Sequence, residues 1–546
     1  MFRSPRVIWN TFTKPKGIHM AATNREAAYE LLRRKGMTKV FGNPGSNELQ
    51  FLKDFPADFH YIMGLHEGAV MAMADGYAQA SGEIPLVSLH SAAGTGTSMG
   101  VLANTVQSKS PVVVLSGQQL RDMVGQEIMV SSANAALLPQ PMTKFSAEPL
   151  SANDVVRTLA QAIHLAGIHP KGPAHVSIPH DDWDHPVDDN TQMTISRTVQ
   201  DALTLAPEQL QELTALMDQA VSPVLVLGPE VDATCSNDAA VALSERLGAP
   251  VWIAPSPARC PFPTDHPHFA GLLPANVADI SLLLSQHDLV LVVGAPVFRY
   301  HHDKPGSYLG EGTRLVHVSQ DPDELARAPF GDAYLAPVAD TLTGLAESVR
   351  PRPNASVPAR HIPPPGIDRT GRMHPDTVFR AIQETGPDNL IHVVESTSTA
   401  ESFWANVQLR TQGSFYSAAA GGLGFGLPAA VGIQLAQPGR RVVAEIGDGS
   451  ANFGITGLWS AARHKLPVVF VIFRNETYGA LVNFGRRLDT LGTPSFELPG
   501  IDFVAIAKGY GVRAESAATE AELRDALTRA FSAQEPVLIE AFTYFE

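Results

Sequence analysis

Cysteine is almost missing: only Cys235 and Cys260 occur in 546 residues. Neither stands in a metal-like spacing, so a disulfide scaffold and a structural zinc module are both excluded. Free thiols fit a reducing compartment, and a cytoplasmic location is expected. Long apolar runs are lacking as well. The longest, around residues 289–298, contains Gly294 and Pro296 and falls far short of a bilayer span, so no membrane partner is expected. Positive charge is in deficit, with 40 Lys and Arg against 55 Asp and Glu and a net charge of -15. That balance argues against nucleic acid or an anionic membrane as partner, and leaves room for a local basic pocket around a phosphorylated cofactor. The first twenty residues lack acids and an apolar core segment but carry Arg3, Arg6, Lys14 and Lys16. They are expected to form an N-terminal extension (1–20) without a secretory signal, with the folded part opening near Met20.

What remains is an ordinary globular balance, 44% hydrophobic and 17% charged, in a chain too long for one core. Strand-like runs at 85–90 and 111–115 alternate with helix-like stretches at 24–35 and 67–79, the pattern of a parallel sheet covered by helices. Continuous apolar runs at 223–227, 250–253 and 288–293 read as strands buried on both faces. Residues 351–371 hold six prolines, at 351, 353, 358, 363, 364 and 365, and can build neither helix nor ladder. The βα pattern then resumes, with strands near 390–394, 441–446, 467–473 and 536–540. The expected architecture is α/β with three doubly wound parallel-sheet domains: 21–200, 201–350 and, beyond the 351–371 linker, 372–546.

The strand at 441–446 runs into Gly447-Asp448-Gly449. Ligands bind at the carboxyl ends of parallel strands, and glycines flanking an aspartate let the backbone approach a diphosphate. A helix is expected over 452–464, and the next strand ends at Asn475-Glu476-Thr477-Tyr478-Gly479. Alone, the first segment is as readily a turn. With Asn475 at the neighbouring strand end, Asp448, Asn475 and a carbonyl near Thr477 make an oxygen-only set suited to Mg2+. Glu67 opens an alanine-rich stretch that reads as a buried helix; by itself it is as well explained as a first-turn acid. Turn residues after Phe41 are expected to expose Ser46 and Glu48. Gly94, Gly96 and Gly100 miss the dinucleotide spacing by one position and read as a turn into a helix. His90 alone reads as a structural histidine, and the pair His301-His302 lacks zinc partners.

The run from Gly447-Asp448-Gly449 to Asn475 resembles the cofactor motif of thiamine-diphosphate enzymes. Such proteins often close the motif with two asparagines, whereas here Arg474 precedes Asn475. The segments FGNPGSNEL, LHSAAGTG, GAPVFRYH, ESTST, AAGGLGF and GDGSAN extend the likeness over nearly the whole chain, and they resemble the benzoylformate decarboxylases. That resemblance implies pyrimidine-binding, central and diphosphate-binding domains, with thiamine diphosphate and Mg2+ as cofactors. It implies non-oxidative decarboxylation of an aromatic 2-keto acid to an aldehyde and CO2, with carboligation as a side activity. Glu67 would activate the cofactor, Ser46 bind the substrate carboxylate, and His90 and His301 handle protons. Asn43, Thr397, Gly421, Leu423 (a wedge under the cofactor), Gly447, Asp448, Gly449, Ser450 and Tyr478 would bind the cofactor, and Asp448, Asn475 and Thr477 the metal. Met129, Ser417, Leu481 and Phe484 would join Ser46 and His90 in the substrate pocket. Ser417 and Ala400 stand where the benzoylformate enzymes carry phenylalanine and threonine, and Met129-Val130 where they carry a leucine pair. The side-chain preference is therefore open, as is an alternative identity as another thiamine-diphosphate lyase or synthase or a catalytically silent paralogue. A homotetramer with active sites at a dimer interface is implied.

Overall fold

The computed structural model describes residues 22–188, 190–200, 203–297, 302–352, 357, 360–490 and 492–545. Among the described residues eighteen strands form three six-stranded sheets, and every pairing between named strands is parallel. In spatial order the first sheet is His60–Met63, Lys39–Gly42, Leu86–Leu89, Val113–Gln118, Ala174–Pro179 and Phe145–Ala147. The third is Phe415–Ser417, Ile391–Glu395, Val442–Gly447, Val469–Arg474, Val537–Phe542 and Arg513–Ala517. Counted within each sheet, both follow the order 2-1-3-4-6-5. The middle sheet places Asp332–Leu335, Arg314–Ser319 and Leu289–Val293 beside Pro223–Leu227, Val251–Ile253 and Phe269–Leu272. That is the doubly wound order of dinucleotide folds.

The strands form where β-branched and aromatic residues run without interruption, because helices cover both faces and no polar alternation is needed. Val442–Gly447 is buried through its first five residues, each large apolar side chain contributing about 1.5–3 kcal/mol. Helix Asn24–Arg34 starts at a capping box between Thr23 and Glu26. Helix Glu67–Ser81 begins at His66, whose Nδ1 accepts from Gly68 N at 3.1 Å, and ends at Gly82 with φ +73°. Gly94, Gly96 and Gly100 lie inside helix Ser91–Gln107.

One expected element differs. The helix at 452–464 is two: Asp448–Gly454 and Gly457–Arg463. The first starts on Asp448 itself, and the break falls where residues 454 and 457 both face Pro428 of helix Gly426–Ala436. Among the described residues of 351–371 there is no helix or strand, only an isolated bridge from Arg369 to Arg372.

Helices Glu67–Ser81 and Gly426–Ala436 join the first and third sheets into a shared core that includes Phe41, Tyr77, Phe425 and Ile446. They meet backbone to backbone. A Cβ on Gly76 would lie 2.4 Å from Ala429 O, and one on Gly432 would lie 1.9 Å from Met73 O. Only glycine permits that approach. A buried ion pair ties in the middle sheet: Arg259 Nε donates to Asp232 Oδ2 at 2.8 Å, and Arg259 Nη1 to Gln79 O of the first sheet's helix at 2.9 Å.

Candidate active site

In an order of 2-1-3-4-6-5 the winding reverses between the first and third strands, and ligands collect outside the carboxyl ends there. In the first sheet that point lies between Gly42 and Leu89. The chain leaving Gly42 carries Asn43, Ser46 and Glu48, and the chain leaving Leu89 begins with His90. Asn43 Nδ2 donates to Glu67 Oε1 at 3.1 Å, so one oxygen of the half-buried Glu67 is oriented and the other left for a ligand. A Cβ placed on Gly94 would touch Glu67 Cγ at 3.3 Å and His90 Cβ at 3.5 Å, which puts both side chains around one point.

Ser46 is exposed as expected, but Glu48 is not. The 3-10 turn Ser46–Glu48 rotates Glu48 inward to 2% exposure. Its Oε2 accepts from Gly45 N at 2.7 Å and lies 2.9 Å from His90 Nδ1. The carboxylate therefore accepts a hydrogen bond from Nδ1–H and leaves Nε2 of His90 as the working nitrogen. Burial raises the Glu48 pKa, and the nearby His90 opposes that rise. Any side chain at residue 45 would displace the His90 ring, because a Cβ there would fall 2.2 Å from His90 Nδ1.

Val130 closes this group from above. Its φ of +58° is unusual for a β-branched residue. The carbonyl it turns inward accepts from Asn47 Nδ2 at 3.0 Å and Ser91 Oγ at 2.8 Å. Its neighbour Met129 is 86% exposed. Beneath the group runs a chain of hydroxyls whose direction is set by its end. Thr95 Oγ1 donates to Ser91 O at 2.7 Å, so it accepts from Ser116 Oγ at 2.6 Å. Ser116 in turn accepts from His175 Nε2 at 2.9 Å, and His175 Nδ1 accepts from Ser146 Oγ at 2.9 Å. Burial pushes the His175 pKa down to about 4, so the ring is neutral and, with Nε2 donating, its Nδ1 is the acceptor.

The third sheet repeats the arrangement. Its reversal lies between Glu395 and Gly447, which deliver Thr397 and Asp448. Asp448 is 3% exposed, with Oδ1 accepting from Gly449 N at 2.8 Å and Oδ2 from Glu476 N at 2.6 Å. Burial raises its pKa against these bonds. Among the described residues it has no ion pair, so lone pairs remain for a cation. Asn475 Oδ1 is aimed by Thr477 N at 3.0 Å, and the Tyr478 ring packs on Gly449. The set is oxygen only; no group of three or more His, Cys, Asp or Glu among the described residues could hold a metal. Ser450 is buried in the same first helical turn, while Thr397 is exposed.

Two buried residues that sequence reasoning passed over shape the loop carrying Gly421 and the half-buried Leu423. Glu395 ends a strand of apolar residues, and its carboxylate accepts from Gly424 N at 2.7 Å and from Gly426 N. Burial pushes its pKa up to about 7 despite these donors. Asn104, from the first sheet's helix, donates to Gly422 O at 2.8 Å and accepts from Ala420 N at 3.0 Å. A lone acid closing an apolar strand was the available signal for Glu395; Asn104 had none.

Residues 22–137 match the N-terminal thiamine pyrophosphate-binding domain of thiamine pyrophosphate enzymes, 210–345 their central domain and 396–541 their C-terminal thiamine pyrophosphate-binding domain. The chain belongs to the thiamine pyrophosphate enzymes. It is 53% identical over 521 residues to a benzoylformate decarboxylase of Pseudomonas aeruginosa, covering 95% of this chain and 99% of that one. The Rhodococcus jostii RHA1 thiamine diphosphate-dependent 4-hydroxybenzoylformate decarboxylase is 52% identical, with a TM-score of 0.94 over 96% of this chain and 100% of that one. A benzoylformate decarboxylase structure from Polynucleobacter necessarius is 34% identical, with a TM-score of 0.91 over 96% and 99%.

For an enzyme of this family, the two strand-end groups offer what the two ends of the cofactor require: a carboxylate with one oxygen available, and a buried oxygen set for a charged diphosphate and its counter-ion. Among the described residues no hydrogen bond or ion pair joins the Asn43–Glu67–His90 group to the Asp448–Asn475 group. His301 lies outside the described residues, as do the three positions before it. Leu481 and Phe484 are exposed on helix Gly479–Arg487, with the His302 ring 5.8 Å from Phe484. The Ser417 hydroxyl donates to Pro257 O at 2.9 Å, which makes it a tie to the middle sheet. In that sheet the reversal point is filled by Glu230, which accepts from Ser319 Oγ at 2.7 Å and Gln320 N at 3.0 Å, where a nucleotide phosphate would be repelled. No described helix is long and apolar enough to cross a membrane.

Proposed function

We propose that the chain decarboxylates an aromatic 2-keto acid, benzoylformate or a ring-hydroxylated analogue, to the aldehyde and CO2. The observation that carries this reading is the grouping of Ser46, Glu48, Glu67 and His90 at one strand reversal, in a chain about half identical to two aryl-keto-acid decarboxylases. When bound, thiamine diphosphate supplies a nucleophilic carbon and a sink for the electrons left by the departing carboxylate. Asp448, Asn475 and the Thr477 carbonyl would hold its diphosphate through Mg2+. Gly447, Gly449, Ser450, Thr397, Gly421 and Tyr478 would line it, and Leu423 would wedge it. Glu67, oriented by Asn43, would hold a proton at the aminopyrimidine. Ser46 would donate to the substrate carboxylate. His90 Nε2, with Glu48 fixing the ring, would exchange the proton at the reacting carbon. Leu481, Phe484 and Met129 would contact the aryl group, with Ser417 behind them. Because the Glu67 and Asp448 groups share no bond within one chain, we assign them to sites completed between two subunits of a homotetramer.

Steady-state kcat/KM for benzoylformate, 4-hydroxybenzoylformate, phenylpyruvate, pyruvate and branched 2-keto acids tests the reading. An aryl glyoxylate is expected to lead by at least tenfold, about 1.4 kcal/mol in the transition state. A preference for pyruvate would sink it. Adding acetaldehyde and quantifying the hydroxyketone separates carboligation from the main reaction.

A further inference from the structure

Glu476 lies between Asn475 and Thr477 and adopts a φ of +60°. A residue with a side chain holds that left-handed conformation only when its surroundings impose it. Here the turn directs the Glu476 N–H to Asp448 Oδ2 at 2.6 Å and its carbonyl to Leu498 N at 2.8 Å. The side chain is gripped from two sides. Arg372 Nη2 meets Oε2 at 2.5 Å, and Arg474 Nη2 meets Oε1 at 3.1 Å. Both arginines are themselves anchored. Arg372 Nη1 donates to Thr543 O at 2.9 Å; Arg474 Nη1 donates to Glu540 Oε1 at 2.9 Å, and its guanidinium lies 5.1 Å from the Phe542 ring. Glu540 is fixed in turn by Ser516 Oγ at 2.9 Å. Two guanidinium charges are thus matched by two carboxylates. Arg474 can stand beside Asp448 without adding net repulsion toward a divalent cation.

We propose that Arg372 and Arg474 clamp Glu476, making it a positioning residue for the cation site: the clamp imposes the left-handed turn that sets Asn475 and Thr477 against Asp448. This rests on the reading that Mg2+ binds there. Glu476 itself touches neither substrate nor reacting atoms. The assignment also gives Arg474 a purpose.

Calorimetric titration of Mg2+ into apoprotein with saturating thiamine diphosphate tests it. Glu476→Gln and Arg372→Met are each expected to weaken Mg2+ about tenfold, or about 1.4 kcal/mol. Glu476→Gly combined with Arg372→Met, which keeps the charge balance and takes the left-handed turn without a clamp, is expected to bind within about twofold of the parent. A merely structural role would penalise the glycine variant as much as the others. Wild-type affinity in Glu476→Gln, or a glycine variant as weak as the glutamine one, overturns the clamp. Asp448→Asn separates the premise: if it binds Mg2+ like the parent, the cation is elsewhere and the site reading fails; if it loses Mg2+ while Glu476→Gln does not, only the clamp fails.

Discussion

His175 is a side chain whose protonation its burial dictates. Its folded pKa lies near 4, below the ordinary value of 6.5. Between those values the unfolded chain binds the extra proton, so stability is fully present above pH 6.5 and falls as pH drops toward 4. The loss reaches about 3 kcal/mol at the acid end. His175→Gln should flatten this part of the pH–stability curve, measured as thermal midpoints between pH 7.5 and 4.5 on the order of half-unit steps; an unchanged slope would assign the effect to another group. Glu67 makes a different prediction. Glu67→Gln keeps the bond from Asn43 but loses the acid, so kcat should fall by on the order of 10² or more while thiamine diphosphate still binds. Retained kcat would show that Glu67 is a first-turn acid and nothing more. The placement of Asp448 at a strand end and of Glu67 at a helix start was legible because each stands in a local pattern that needs explaining. Glu48 was visible but wrongly exposed, since a 3-10 turn and a partner 42 positions away decide its direction. Asn104 serves a loop 318 residues distant, a relation no local pattern carries.

Among elements, the crossing of Glu67–Ser81 with Gly426–Ala436 bears the most on the site, because one helix starts at Glu67 and the other follows the Leu423 loop. A methyl at residue 432 would overlap Met73 O, so Gly432→Ala must push the helices apart. A stability loss of about 1–3 kcal/mol or more is expected, with the shared core opening. Scanning calorimetry of Gly432→Ala against Gly439→Ala, where a Cβ meets nothing within 4 Å, checks it; equal midpoints would refute the tight crossing. Strands were readable at this scale because burial on both faces leaves continuous apolar runs. The helix after Asp448 was readable at its far end but not in its start, which falls on Asp448 itself, nor in its break, because Pro428 that faces the break belongs to another element.

At the scale of the molecule, the count of three α/β units was legible from alternation and from the proline-rich stretch, while their mutual contacts were not. Separate Glu67 and Asp448 groups lead to a complementation experiment. Co-expressed Glu67→Gln and Asp448→Asn chains should regain activity that neither has alone, because a mixed pair leaves one of its two shared sites unmutated. Random pairing gives about a quarter of parental sites. No recovery would place each site within a single chain.

The glycine crossing also has a symmetry. Gly76 meets Ala429 and Gly432 meets Met73; matching residue 76 with 432 and 73 with 429 turns each contact into the other. The helices involved follow the second strand of two sheets with the same strand order. The chain therefore contains its own approximate dyad, as though one sheet had dimerised and the halves had then been joined by the middle one. A true dyad would offer any ligand two identical ends. Divergence at the strand ends, histidine and glutamate on one copy and buried aspartate on the other, would let unlike copies that meet across two subunits hold a molecule whose two ends differ.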